Sequence, residues 1–128
     1  MEAKALLDAQ VQAKRIYSLL SEVLDLSNQL AEAIDREDRV VVQMLVDMRD
    51  GPIKKLQAAR TALQEQKDGL EEASRERLTA LLNGEPAVDA EEVPLEAQVA
   101  SNKRLLQRVL ELDERLNRKI TGAKSIYN

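Results

Sequence analysis

The chain has 128 residues, 44% apolar, 33% charged and 2% aromatic, with a net charge of −4 and no Cys, His, Trp or Phe. Without imidazole or thiol there is no His base, no Cys nucleophile, and no zinc, copper or haem site of the usual ligand types. Carboxylate chemistry, a Ser or Lys nucleophile, or no chemistry at all remain.

A chain of this size fits one domain and buries roughly two-thirds of its unfolded surface, so it needs neither disulfide nor metal to fold. The opening Met-Glu-Ala-Lys-Ala-Leu-Leu-Asp meets charge too early for a signal peptide. No apolar run approaches the roughly 20 residues of a membrane span. A cytoplasmic protein is the expectation, and the acidic balance speaks against a nucleic-acid binder.

Met1 to Asp50 contains neither glycine nor proline. A first helix is predicted from about Ala3 to Ile34, because Ala9, Ala13, Ile16, Leu20, Val23, Ser27, Leu30 and Ile34 recur at steps of three and four. Asp35-Arg36-Glu37-Asp38 interrupts that stripe, and Asp35 or Asp38 can cap the next helix. The second helix carries Val41, Met44, Leu45 and Met48. Its seam stays in phase through Gly51-Pro52 to Leu56, Ala59 and Leu63. A loop would have no reason to keep phase, so one kinked helix to about Gln66 is favoured, with two separate helices as the alternative.

Asp68 to Glu71 reads as a capping-box variant opening a short helix, with Leu70, Leu78, Leu81 and Leu82, that closes at Asn83-Gly84. Residues 84–93 form the best candidate for a mobile loop. Pro94 suits the first turn of a last helix to about Ile120, striped by Val99, Asn102, Leu105, Val109, Leu112, Leu116 and Ile120. Residues 121–128 read as a frayed tail. The expected fold is therefore all-α and a single domain: an elongated antiparallel hairpin over about 3–67, a short helix over about 69–83 and a long C-terminal helix over about 94–120, in a three- to four-helix bundle.

Charge is uneven over these pieces: −3 for residues 1–35, +1 for 36–68, −6 for 69–97 and +4 for 98–128. The acidic arm and the basic last helix can attract each other, or polarise a binding surface.

No constellation suggests catalysis, a cofactor or a metal. Glu71-Glu72 and Glu91-Glu92 are sequence neighbours, which on a helix point about 100° apart and cannot converge. Asp35, Glu37 and Asp38 lack the glycine and terminal glutamate of a calcium loop. The cations Lys103, Arg104, Arg108, Arg115, Arg118 and Lys119 lack the aromatic platforms of nucleic-acid binding and suit a solvated helix face. Asn102 in an apolar stripe either fixes register or meets a partner. Met44 and Met48, beside Val40, Val41, Val42 and Val46, make the second helix apolar around more than half its circumference. Such a surplus must be covered by another helix, a second copy or a partner.

The stretch Leu19-Leu20-Ser21-Glu22-Val23-Leu24 through Ala33-Ile34-Asp35-Arg36-Glu37-Asp38, then Met44 to Arg49 and Ile53-Lys54-Lys55-Leu56, resembles the helical hairpin of the FlgN/FliT-type flagellar type III export chaperones. Leu45 and Arg49 hold that family's Leu-x-x-x-Arg register, and Asn102-Lys103-Arg104-Leu105-Leu106 through Tyr127 is similar to its final helix. Gly51-Pro52 and the acidic loop depart from the pattern. The resemblance implies a cytoplasmic chaperone that holds a hook-associated or filament-cap protein unpolymerised and hands it to the export machinery. A terminal amphipathic helix of that partner would lie on Leu105, Val109, Leu112 and Leu116, with Asn102 nearby and Met44 and Met48 as a second patch. Changing Val109 and Leu112 to Asp is then expected to abolish capture and leave the chain helical. The alternatives are a homodimeric helical-bundle adaptor and a protein that sequesters a regulator, both without catalytic activity.

Overall fold

The computed structural model describes residues 1–127, with side chains as far as Gly122. It is all-α, with α1 at Ala3–Asp35, α2 at Arg39–Asp68, α3 at Glu72–Leu82 and α4 at Val93–Tyr127. Asn128 lies outside the described residues.

The turn between α1 and α2 is closed by paired backbone bonds. Glu37 adopts φ 58°, and Asp38 N–H donates to Ala33 O while Glu37 N–H donates to Ile34 O, both at 3.0 Å. This satisfies carbonyls that would otherwise be orphaned at the end of α1. Of the two candidate caps, Asp38 is the one that caps α2, its Oδ1 accepting from Val41 N–H at 3.2 Å. α3 ends in the same way, with Gly84 at φ 93° and Glu85 N–H donating to Ala80 O.

α2 runs unbroken through Pro52, which is itself buried. The in-phase seam is thus one helix, and the reading as two helices is excluded. Asp68 is the last residue of α2 rather than the cap of α3, and its carboxylate accepts from Gln64 Nε2. Glu71 precedes α3 instead. The expected frayed tail is also corrected, because α4 continues past Ile120 to Tyr127.

α1 is the central element, with α2 and α4 each lying along it. α2 runs antiparallel to α1. α4 runs parallel to it, since Leu95 meets Leu6 and Ala9 near one end, while Leu112 and Leu116 meet Leu26, Leu30 and Ala33 near the other. The core has three parts along this axis. At the α1–α2 turn, Leu26, Leu30, Ala33, Leu45, Leu112 and Leu116 pack together. In the middle, Leu20 and Val23 meet Leu105 and Val109. At the far end, Leu78 and Leu81 of α3 pack on Leu6, Ala9, Ala13 and Leu95. Small residues on α1, Ala9 and Ala13, leave room there for α3 to lie against the bundle.

Residues 85–92 are anchored. Glu92, 3% exposed, accepts a forked pair from Arg77 at 2.7–3.0 Å, and Arg77 also donates to Pro86 O. Val88 N–H donates to the same Glu92 carboxylate, and Ala87 N–H donates to Glu96. The expected mobile loop is instead a strap fastening α3 to the start of α4. Its composition suggested freedom because the cation that orders it lies in the preceding helix.

Candidate functional site

The four α4 residues singled out as a groove are core. Leu105, Val109, Leu112 and Leu116 are 6%, 5%, 4% and 2% exposed and cover α1 and the start of α2. Periodicity identified an apolar face correctly, and intramolecular packing is what covers it. Substituting Asp at Val109 and Leu112 would bury charge in the core, so that pair cannot separate partner capture from folding.

Met44 and Met48 are each half exposed, and Val40 is 80% exposed. They lie on the flank of α2 turned away from α4: Met48 sits about 100° round the helix from Arg49, the residue that reaches α4. Asn102 is half-buried. Its Nδ2 donates to Ala13 O at 2.9 Å and its Oδ1 accepts from Gln98 Nε2 at 3.0 Å. The amide thus ties α4 to the backbone of α1, as a register role requires.

A cleft of about 570 Å³ opens beside Asn102, between α2 and α4 and floored by α1. Ala13, Ile16 and Leu20 form the floor; Leu56, Arg60, Leu63 and Lys67 form one wall; Val99, Asn102, Lys103 and Leu106 form the other; and Leu82, Asn83 and Gly84 close one end. α3 touches both α2 and α4 and so holds them apart at this end. Beyond its last turn no side chain among the described residues fills the gap. Toward the other end the walls converge on an ion pair, where Arg49 Nη2 meets Asp113 Oδ1 at 2.7 Å. Arg49 Nε is buried there without a hydrogen-bond partner.

The lining is apolar below and cationic at the rim. Ile16, Leu56, Leu63, Leu82 and Val99 are half-buried, and Leu106 is 38% exposed. Arg60, Lys67 and Lys103 stand among them, and none of the three makes an ion pair among the described residues. Leu56, Leu63 and Val99 were each legible as apolar positions in the sequence, whereas Leu106 lies off the α4 stripe and was missed. The cleft was not, because it depends on where α3 lies.

An acid held off its ordinary value lies outside the cleft. The hydrogen bonds from Arg77 hold the Glu92 carboxyl below the usual glutamate range, against the opposing effect of its burial. Arg77 and Glu92 satisfy one another and the loop backbone, which marks a structural pair. Among the described residues no group of three or more acidic side chains could hold a metal ion, and no helix is long and apolar enough to cross a membrane. Comparison with protein-family models, curated proteins and solved structures gave no match to this chain.

Proposed function

We propose that the protein binds an amphipathic helix of a partner protein in the α2–α4 cleft, and acts as an export chaperone for a flagellar hook-associated or filament-cap protein. The observation that carries the binding reading is the open, apolar-floored cleft between α2 and α4 at the α3 end, where the two helices stand apart before they meet at Arg49 and Asp113. A helix laid there would complete a bundle that now lacks one member along that seam. Covering the self-assembling helix of the partner would keep it unpolymerised until export. The flagellar assignment rests on the resemblance of the hairpin and last helix to FlgN/FliT-type chaperones.

The test is capture of terminal segments from hook-associated and filament-cap proteins by the wild-type chain and by two variants. Leu106→Asp alters an exposed cleft wall and is expected to abolish capture with the circular-dichroism spectrum unchanged. Met48→Asp, on the other flank of α2, is expected to leave capture intact. Capture lost through Met48→Asp alone, or no capture by the wild type, refutes the assignment. A tight dimer in light scattering, with no monomer on dilution, favours the homodimeric adaptor instead.

A further inference from the structure

We propose that the cleft selects a helix whose apolar stripe is flanked by acidic side chains, an inference that rests on the helix-binding reading above. The chain as a whole carries −4, yet among the described residues no Asp or Glu lines the cleft, and three cations do. Arg60 and Lys67 lie two turns apart on the α2 wall, and Lys103 stands on the α4 wall. The most acidic stretch, residues 69–97, contributes only Leu82, Asn83 and Gly84 to the lining. Its buried carboxylate, Glu92, is already engaged by Arg77.

The spacing specifies the partner further. From Arg60 to Lys67 the helix rises about 10 Å, and from Leu56 to Lys67 about 16 Å. A bound helix of about three turns therefore spans the wall. Acids about seven residues apart along one edge of its apolar stripe would meet Arg60 and Lys67. An acid on the opposite edge would meet Lys103. Pairing at a rim over an apolar floor gives selectivity and faster encounter, while the buried stripe supplies most of the affinity. A helix with basic flanks would place like charges against the three cations.

Two synthetic helices with one leucine stripe test this, one flanked by Glu and the other by Lys, each titrated into the full chain by fluorescence anisotropy. The Glu-flanked helix is expected to bind at least about tenfold more tightly at low salt, with the gap closing toward parity in about 1 M salt. The triple variant Arg60→Glu, Lys67→Glu, Lys103→Glu is expected to reverse the preference. The milder triple Gln variant, checked for unchanged helicity, is expected to abolish it. Equal binding of both helices, each lost in Leu106→Asp, overturns the charge selectivity and leaves the helix-binding reading standing. No binding of either helix overturns both. A dimer that the Glu-flanked helix fails to dissociate also overturns the proposal, by placing a second copy in the cleft.

Discussion

Replacing Leu112 by Ala tests whether α4 is docked along α1 in solution. Leu112 is 4% exposed and packs among Leu26, Leu30, Ala33, Leu45 and Leu116. The substitution removes three carbon groups at about 0.8 kcal/mol each. A partly relaxed cavity adds on the order of 1 kcal/mol, for a total of about 3 kcal/mol, within the range of about 2–5 for such truncations. With an unfolding entropy of about 2.1 cal/mol/K per residue, that loss lowers Tm by about 11 °C for a chain of this length. Urea unfolding followed at 222 nm is the assay, since the chain has no Trp. The midpoint should fall with m unchanged. Leu106→Ala, at an exposed position on the same helix, is expected to cost less than about 1 kcal/mol. A loss below about 1 kcal/mol for Leu112→Ala as well would refute the docked arrangement of α4.

The Arg77–Glu92 pair makes stability depend on pH. The Glu92 carboxyl is held below its ordinary value, so in acid the unfolded chain takes up this proton first. The stabilisation is complete above the ordinary glutamate value of about 4.3 and disappears as pH falls through the lowered folded value. The stability deficit of Glu92→Gln, measured by thermal melts, should therefore be constant between pH 7 and about 5.5 and shrink below that; a deficit that grows with acidity would refute the pairing. Gly51→Ala should stabilise by about 0.5–1 kcal/mol in urea unfolding, because Gly51 is helical and an added Cβ would meet nothing within 4 Å. Glu37→Gly should stabilise the fold by up to about 1 kcal/mol, read as a higher urea midpoint at unchanged m, through relief of the left-handed backbone at φ 58°.

The helices were legible because three-four periodicity persists over long stretches, and α2 could be carried through Pro52 on phase alone. What periodicity cannot state is the identity of the covering surface. Leu105, Val109, Leu112 and Leu116 present one apolar stripe whether a partner or α1 lies against it, and only the direction of α4 decides between them. The anchored strap was hidden for a related reason: Arg77 and Glu92 are 15 residues apart, outside any helical spacing that links side chains. Asn102 carried a readable signal as a polar break in a stripe, and its amide does tie α4 to α1. Of the cleft's features, the apolar wall positions Leu56, Leu63 and Val99 were readable; Arg60, Lys67 and Leu106, and the gap itself, were not.

The central place of α1 also bears on how the chain acquires its shape. Contacts between α1 and α2 close through a short turn, whereas those between α1 and α4, such as Asn102 to Ala13 and Lys119 to Asp35, join residues 89 and 84 positions apart. Local closure is faster than distant closure, so the hairpin is expected to assemble before α4 reaches it. In that interval Leu20, Val23, Leu26 and Leu30 form a trough continuous with Ile16 and Ala13. The finished cleft is the part of this trough that α4 leaves uncovered, and the chain is most prone to self-association during its own synthesis, before its last helix arrives.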